Sequence, residues 1–157
     1  MTTPKTLLIV AHCPSPNTET LKNAVLRGAS HPDLAQSILP LWKPPLETTA
    51  EDVLKADALI LGTPENLGYM SGALKDFFDR IYYPVLELKQ GLPFAYYIRA
   101  GHDGTGTQRA IQTITTGLRW RAVQPPLICK GSYQEEFETQ CEELGLYVAA
   151  GLDGGLF

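Results

Sequence analysis

Three short stretches of this chain carry residue types that can do chemistry. The first is His12-Cys13-Pro14-Ser15-Pro16-Asn17-Thr18-Glu19-Thr20, with Leu21, Ala24 and Val25 opening a helix face behind it. The first amides of a helix lack partners and carry partial positive charge, so this loop reads as an anion site. Ser15, Thr18, Thr20 and the Asn17 amide add donors. No Lys or Arg occurs between Lys5 and Lys22, so neutral dipoles would hold the anion. A Walker-type nucleotide loop is excluded, because it needs Gly-Lys followed by Ser or Thr. A cysteine phosphatase is excluded too. Its Cys-x5-Arg pattern places an arginine on the phosphoryl group, and here that position is Glu19. His12 and Cys13 read as strand-end and loop residues. Taken alone, the loop is read more simply as a plain helix cap by Thr18 or Thr20.

The second stretch is Thr63-Pro64-Glu65-Asn66-Leu67-Gly68-Tyr69, which holds a carboxylate, an amide and an aromatic between helix-hostile residues. The third is Gly101-His102-Asp103-Gly104-Thr105-Gly106. Its glycines permit positive φ and close approach of backbone to a flat ligand. The spacing is not a dinucleotide fingerprint opening a first βαβ unit, and a flexible turn is the competing reading.

Each stretch follows an apolar run that reads as a strand. Thr6 to Ala11 and Ala58 to Leu61 are short, continuous and apolar, as in parallel strands buried on both faces. Gly62 ends the second of these, and Leu92 to Ala100 is rich in aromatics. Asp33 to Leu41, with Ala35 to Leu39 at its centre, reads as a weaker edge strand, with Pro40, Pro44 and Pro45 stiffening the loop after it. Leu127 to Cys129 is a short fifth strand. Helices alternate with these. The first closes near Gly28. Thr48 and Glu51 form a capping-box pattern for a short helix, and Ser132 and Glu135 form another. Behind the second stretch, Met70, Ala73, Leu74, Phe77, Phe78 and Ile81 share one apolar face. Ser71 is its N-cap, and Lys75 with Asp79 and Asp76 with Arg80 are exposed pairs. Ile111, Ile114 and Leu118 mark a further helix. Phe137, Cys141, Leu144 and Val148 mark the last, which Gly151 stops.

The chain has 157 residues and a formal net charge of −4. That length suits one domain, residues 1–157, with a full core. The charge argues against nucleic acid as a partner. The apolar runs are too short to span a membrane, and Met1 to Lys5 lacks the apolar region of a signal peptide. Three cysteines without Cys-x-x-Cys spacing argue against a disulfide framework and a metal site. The expectation is a cytoplasmic enzyme or carrier.

Five strands alternating with helices, with polar loops after strands one, three and four, suit a parallel sheet ordered 2-1-3-4-5. Those loops then meet at the switch point beside strand one. Here the sequence resembles the flavodoxin-like flavoproteins, particularly the NAD(P)H-dependent FMN reductases and quinone reductases. The expected fold is an α/β flavodoxin-like three-layer sandwich with a five-stranded parallel sheet. The likeness is strongest from Ala56 to Tyr82, where Gly62 to Gly72 is similar to the family's isoalloxazine loop. Cys13-Pro14-Ser15-Pro16-Asn17-Thr18 is similar to its phosphate loop at Ser15, Asn17 and Thr18. It departs at Cys13, where a hydroxyl is usual, and at Pro16, which replaces glycine and has no amide to donate. Gly101 to Gly106 resembles the second ring-contacting loop.

The resemblance implies an FMN cofactor held by Cys13, Ser15, Pro16, Asn17, Thr18, Thr63, Pro64, Glu65, Asn66, Leu67, Gly68, Tyr69, Gly101, His102, Asp103, Gly104 and Gly106. It implies no catalytic acid or base, because the flavin itself accepts and passes on electrons. It implies NADH or NADPH and a small quinone or flavin acceptor as partners. Pairing across Tyr82-Tyr83-Pro84 would make a homo-oligomer. Two other functions remain open: a flavodoxin-type one-electron carrier, and a descendant of the fold that has lost its flavin.

Overall fold

The computed structural model describes residues 3–157. Met1 and Thr2, part of the stretch read for a signal peptide, lie outside the described residues. Strand β1 (Lys5–Ala11) is buried from Leu7 onward. Leu7, Ile9 and Ala11 enter one apolar core while Leu8 and Val10 enter another. A strand that feeds two cores must be apolar on both faces, which is why its sequence does not alternate.

Helix α1 (Pro16–Ala29) leads to β2 (Ile38–Lys43), short helix α2 (Ala50–Lys55) and β3 (Ala58–Asn66). A two-residue strand β4 (Tyr69–Met70), α3 (Gly72–Leu86), β5 (Pro93–Ala100) and α4 (Thr105–Gly117) follow. The chain closes with β6 (Arg121–Ala122), β7 (Leu127–Lys130) and α5 (Glu136–Asp153). The parallel sheet runs β2-β1-β3-β5, and β6 and β7 both pair with β5 at the far edge. Counted by position, this is the expected 2-1-3-4-5 order. Helices α1 and α5 cover one face; α2, α3 and α4 cover the other.

On the second face Phe77, Phe78, Leu74 and Ile81 are fully buried. Truncating either phenylalanine to alanine would cost about 3–5 kcal/mol. On the first face α1 and α5 pack very closely. A Cβ at Gly28 would overlap the Glu142 carbonyl, and one at Gly145 would overlap the Val25 carbonyl. Gly28 therefore serves as a contact between helices, and α1 continues past it to Ala29.

Several boundaries differ from the expectations, each for a physical reason. Strand β3 does not end at Gly62. It continues to Asn66, because β5 still runs beside it with Thr63 opposite Ile98 and Pro64 opposite Arg99. Strand β1 stops opposite Gly62, so beyond that point one side of β3 has no parallel partner and a proline is tolerated. Strand β2 lies later than expected and contains Pro40, which its edge position allows. The α2 capping box is Thr49 with Asp52. Thr48 is instead fully buried, with its hydroxyl donating to the Pro44 carbonyl. Ser132 and Glu135 do not cap α5, whose N-cap residue, Glu135, makes no side-chain cap bond. Gly151 does not stop α5. The helix runs to Asp153, and the Phe157 ring packs where a side chain at 151 would sit. Strands β4 and β6 were not foreseen.

Candidate functional site

Strands β1, β3 and β5 are neighbours in the sheet, so their carboxyl ends bring the three chemistry-bearing stretches to one edge. Ligands of open α/β sheets bind at such an edge.

At the first stretch Ser15 is the N-cap of α1 and Pro16 is its first helical residue. Proline suits that position, since the amide it lacks would have no helical partner anyway. Ser15 and Thr18 form a reciprocal capping box. The Thr18 amide donates to the Ser15 hydroxyl at 3.2 Å, and the Ser15 amide donates to the Thr18 hydroxyl at 3.0 Å. Thr18 is buried, while Ser15 and Asn17 are exposed. The amides of Cys13 and Asn17 make no hydrogen bond among the described residues, and they are the loop's free backbone donors. Glu19 would repel an anion, but its carboxylate is paired with the Lys22 ammonium at 2.7 Å. Lys22 itself is buried over the Trp42 ring, 3.9 Å from the centroid.

Cys13 lies half-buried with its thiol toward the Ala11 carbonyl. Burial, with the Glu19 carboxylate adding to it, pushes the thiol up to about 11. It stays protonated at neutral pH and is a poor nucleophile. His12, which the sequence reads as a strand-end residue, stands at the base of this loop with a buried Nδ1 that has no partner among the described residues. Burial lowers its pKa and keeps the ring neutral. Its place directly after β1 was the available signal.

The second stretch is a hairpin. Glu65 pairs with Met70 and Asn66 with Tyr69. The turn between them, Leu67-Gly68, has φ of 54° and 74°. A two-residue hairpin of this hand needs positive φ at both positions, and leucine there is strained by about 1–2 kcal/mol. Leu67 is fully exposed. The base of the hairpin is pinned by Thr63, which accepts the Ser71 amide at 3.0 Å and donates to the Pro64 carbonyl at 2.8 Å. Ser71 in turn caps α3 by accepting the Leu74 amide. Thr63 and Pro64 are buried, whereas Asn66, Leu67, Gly68 and Tyr69 are exposed.

The third stretch is tied to the second. The Glu65 carboxylate accepts the His102 amide on one oxygen and the Gly104 amide on the other, each at 2.9 Å. Gly104 is buried in left-handed conformation and is the N-cap residue of α4. Gly106 packs against the hairpin, since a Cβ there would overlap the Gly68 carbonyl. Asp103 accepts the Thr105 amide at 3.0 Å, which lowers its pKa. Gly101, His102 and Asp103 remain exposed, and the Cβ positions of Gly68 and Gly101 face open space. The structure thus divides the expected site residues. Ser15, Asn17, the hairpin tip 66–69 and Gly101 to Asp103 present donors and bare backbone outward. Thr63, Glu65, Gly104 and Gly106 hold those surfaces in place.

A parallel sheet of this order, with its polar loops at the carboxyl edge, defines a flavodoxin-like α/β protein. Residues 17–131 match the family model described as NADPH-dependent FMN reductase, and the chain belongs to that family. The family is one of FMN proteins, in agreement with the expected cofactor. A flavodoxin from Aquifex aeolicus is 36% identical over 72 residues, 46% of this chain and 39% of its own length. The match thus spans about two fifths of that relative. Among solved structures, a flavodoxin from the domain Archaea superposes with a TM-score of 0.76 at 17% identity, covering 94% of this chain and 98% of that one. A flavodoxin, WrbA-like protein from Agrobacterium tumefaciens gives 0.73 at 16% identity, covering 94% and 97%. At such identities these likenesses establish the fold. Among the described residues no helix is long and apolar enough to cross a membrane.

Proposed function

We propose that this chain binds FMN at the carboxyl edge and works as an oxidoreductase, taking electrons from NADH or NADPH and passing them to a quinone or free flavin. The donor set suits that cofactor. A phosphate needs free amides at a helix N-terminus, and Cys13 and Asn17 offer them, with the Ser15 hydroxyl and Asn17 side chain alongside. A flat ring needs bare backbone and apolar cover, and Gly68, Gly101, Leu67 and Tyr69 offer those. Bound FMN would supply the redox chemistry, accepting two electrons and passing on one or two. The chain's part is to bind, to orient the ring and to leave its face accessible. No side chain is assigned as acid or base. A cytoplasmic location accords with this reading.

The observation that carries the enzymatic reading is the scarcity of aromatic cover. Tyr69, 39% exposed, is the one aromatic ring in the hairpin tip, and His102 is the only ring in the third loop. A nicotinamide must stack within about 3–3.5 Å of the reacting atom, which an uncovered face permits. The likeness to a flavodoxin supports the alternative of a one-electron carrier. Anaerobic titration of the FMN-loaded protein separates the two. NADH or NADPH alone should bleach the flavin absorbance, and a quinone should restore it. Reduction by dithionite only, in two resolved one-electron steps, assigns a carrier. A colourless protein that leaves added FMN fluorescence unquenched has lost the cofactor.

A further inference from the structure

Most lysines and arginines of this chain are committed. They face a carboxylate, as Arg80 does Asp76, or a backbone carbonyl, as Arg99 does that of Cys129. Among the described residues, Arg109, Arg121 and Lys130 have neither kind of side-chain partner, and all three are exposed. Arg121 is on β6, beside Pro93 at the start of β5, away from the site loops. Lys130 ends β7 opposite Ala100, next to the third loop. Ile128 packs into the core under α4 and Cys129 into the other core, so alternation returns Lys130 to the α4 side. Arg109 is on α4 itself, one turn past the third stretch.

Arg109 lines a hollow of about 390 Å³ with Thr105, Gln108 and Gln112. The four form one stripe of the helix, at i, i+3, i+4 and i+7. No carboxylate lines the hollow. Asp103, the nearest acid in the sequence, is turned onto the Thr105 amide at 3.0 Å. Gln112 is engaged with the Tyr96 hydroxyl. That leaves the Arg109 guanidinium and the Gln108 amide as free donors.

A solvated arginine needs no partner for stability; its place is what singles Arg109 out. The reaction proposed above brings a dinucleotide to the carboxyl edge. Its nicotinamide must lie on the flavin ring beside Gly101 to Asp103, so its adenosine end rests on protein that borders those loops. Arg109 is about 6 Å along the helix from Thr105, within that border. NADPH differs from NADH by one phosphate, on the 2′ oxygen of the adenosine ribose. A phosphate offers several acceptor oxygens, and a guanidinium meets two of them through parallel N–H bonds. We propose that Arg109, with Gln108 beside it, takes the 2′-phosphate of NADPH and sets a preference for NADPH over NADH, a role that rests on the oxidoreductase reading. Lys130, on the same side of the sheet, adds positive potential for the approach of that anion.

The test titrates the full chain, without flavin, against adenosine 2′,5′-bisphosphate, whose two phosphates give separate phosphorus NMR resonances. At low ionic strength, where exposed charges are least screened, the 2′ resonance should shift and saturate, and the 5′ resonance should move less. AMP, which lacks the 2′-phosphate, should bind about tenfold more weakly. Arg109→Gln should weaken the bisphosphate by about tenfold. Arg121→Gln removes the same charge at the far end of the sheet and should leave the affinity unchanged. Both positions are exposed, and thermal melts check that both variants fold. An unshifted 2′ resonance, equal losses in the two variants, or inorganic phosphate binding as tightly as the bisphosphate overturns the proposal. With FMN loaded, the ratio of kcat/KM for NADPH to that for NADH should fall about tenfold in Arg109→Gln. If both nucleotides bleach the flavin and that ratio does not move, the oxidoreductase reading stands and the role of Arg109 falls. If neither nucleotide bleaches it, the oxidoreductase reading falls, and the phosphorus titration decides alone whether Arg109 holds a 2′-phosphate.

Discussion

The Glu65 carboxylate holds the Gly104 amide at 2.9 Å, and its second oxygen holds the His102 amide at the same distance. One acidic side chain on the β3 hairpin thereby fixes the loop after β5. Charge-assisted bonds of this kind contribute more than neutral ones. In Glu65→Gln one of the two oxygens becomes an NH2 group, which would face a backbone donor. The expected local cost is about 1.5–3 kcal/mol. Amide exchange at His102 and Gly104 should accelerate, FMN affinity should fall, and the core should stay folded. Unchanged exchange at both amides would show that the loop is held by something else.

The two loop glycines should behave differently. Gly68 has φ of 74° and open space at its Cβ position. Gly68→Val should leave the core intact, cost about 1–2 kcal/mol of turn strain and weaken FMN. At Gly104, φ is 71° and a Cβ would stand 2.9 Å from Ile128 Cγ2 and 3.3 Å from Ala100 Cβ. Gly104→Val therefore adds crowding of about 1–3 kcal/mol to the backbone strain, and its loss of FMN would be inseparable from loss of stability. Thermal melts beside flavin titrations check this. A Gly104→Val protein as stable as the parent would mean that α4 can shift away.

The sheet was legible because β1, β3 and β5 feed two cores and so present unbroken apolar runs. The site's position was legible because three polar loops follow those runs. What could not be read was the contribution of partners distant in sequence. Glu65 looks like a loop carboxylate until β5 brings His102 and Gly104 to it. Pro64 looks like a strand breaker until β1 is seen to stop opposite Gly62. The Leu67-Gly68 turn lacks the Asn-Gly signal that usually announces a hairpin. Thr48 and Thr49 both precede an acidic residue at cap spacing, and burial of Thr48 under the Pro44 carbonyl decides between them.

Thr18→Ala should act on two properties at once. Its hydroxyl accepts the Ser15 amide at 3.0 Å and donates to the Ser15 carbonyl at 3.0 Å, so its loss opens the α1 cap. Breaking a cap costs about 0.5–2 kcal/mol of stability. If this helix start also holds phosphate, FMN should weaken by about 1–3 kcal/mol while riboflavin barely changes. Parallel titrations with both ligands read the difference. Equal losses for the two would place Thr18 in the fold alone.

Cys13 offers a pH-dependent report on the same loop. Burial first, and the Glu19 carboxylate second, raise its thiol from 9.0 to about 11, with Lys22 opposing. A raised thiol pKa means that the folded state prefers the proton. The stability this contributes is fully present below about pH 9, where the thiol of the unfolded chain ionises, and is lost as pH rises through about 11. At pH 8 the thiolate population is about a hundredfold below that of an unshifted thiol, a two-unit shift at tenfold per unit. A more basic thiolate is intrinsically more reactive, which recovers about tenfold of that deficit. Alkylation by iodoacetamide should therefore run about tenfold slower than for a free cysteine. Glu19→Gln removes one cause of the shift and should speed the reaction. FMN, if its phosphate sits on the Cys13 and Asn17 amides, should slow it further, whereas riboflavin should not. Cys129 and Cys141 are fully buried and contribute little background in the folded protein. Mass spectrometry of alkylated Cys13 against time, with and without each ligand, gives the answer. A rate equal to that of free cysteine would refute the raised pKa, and equal protection by riboflavin would move the phosphate away from this helix start.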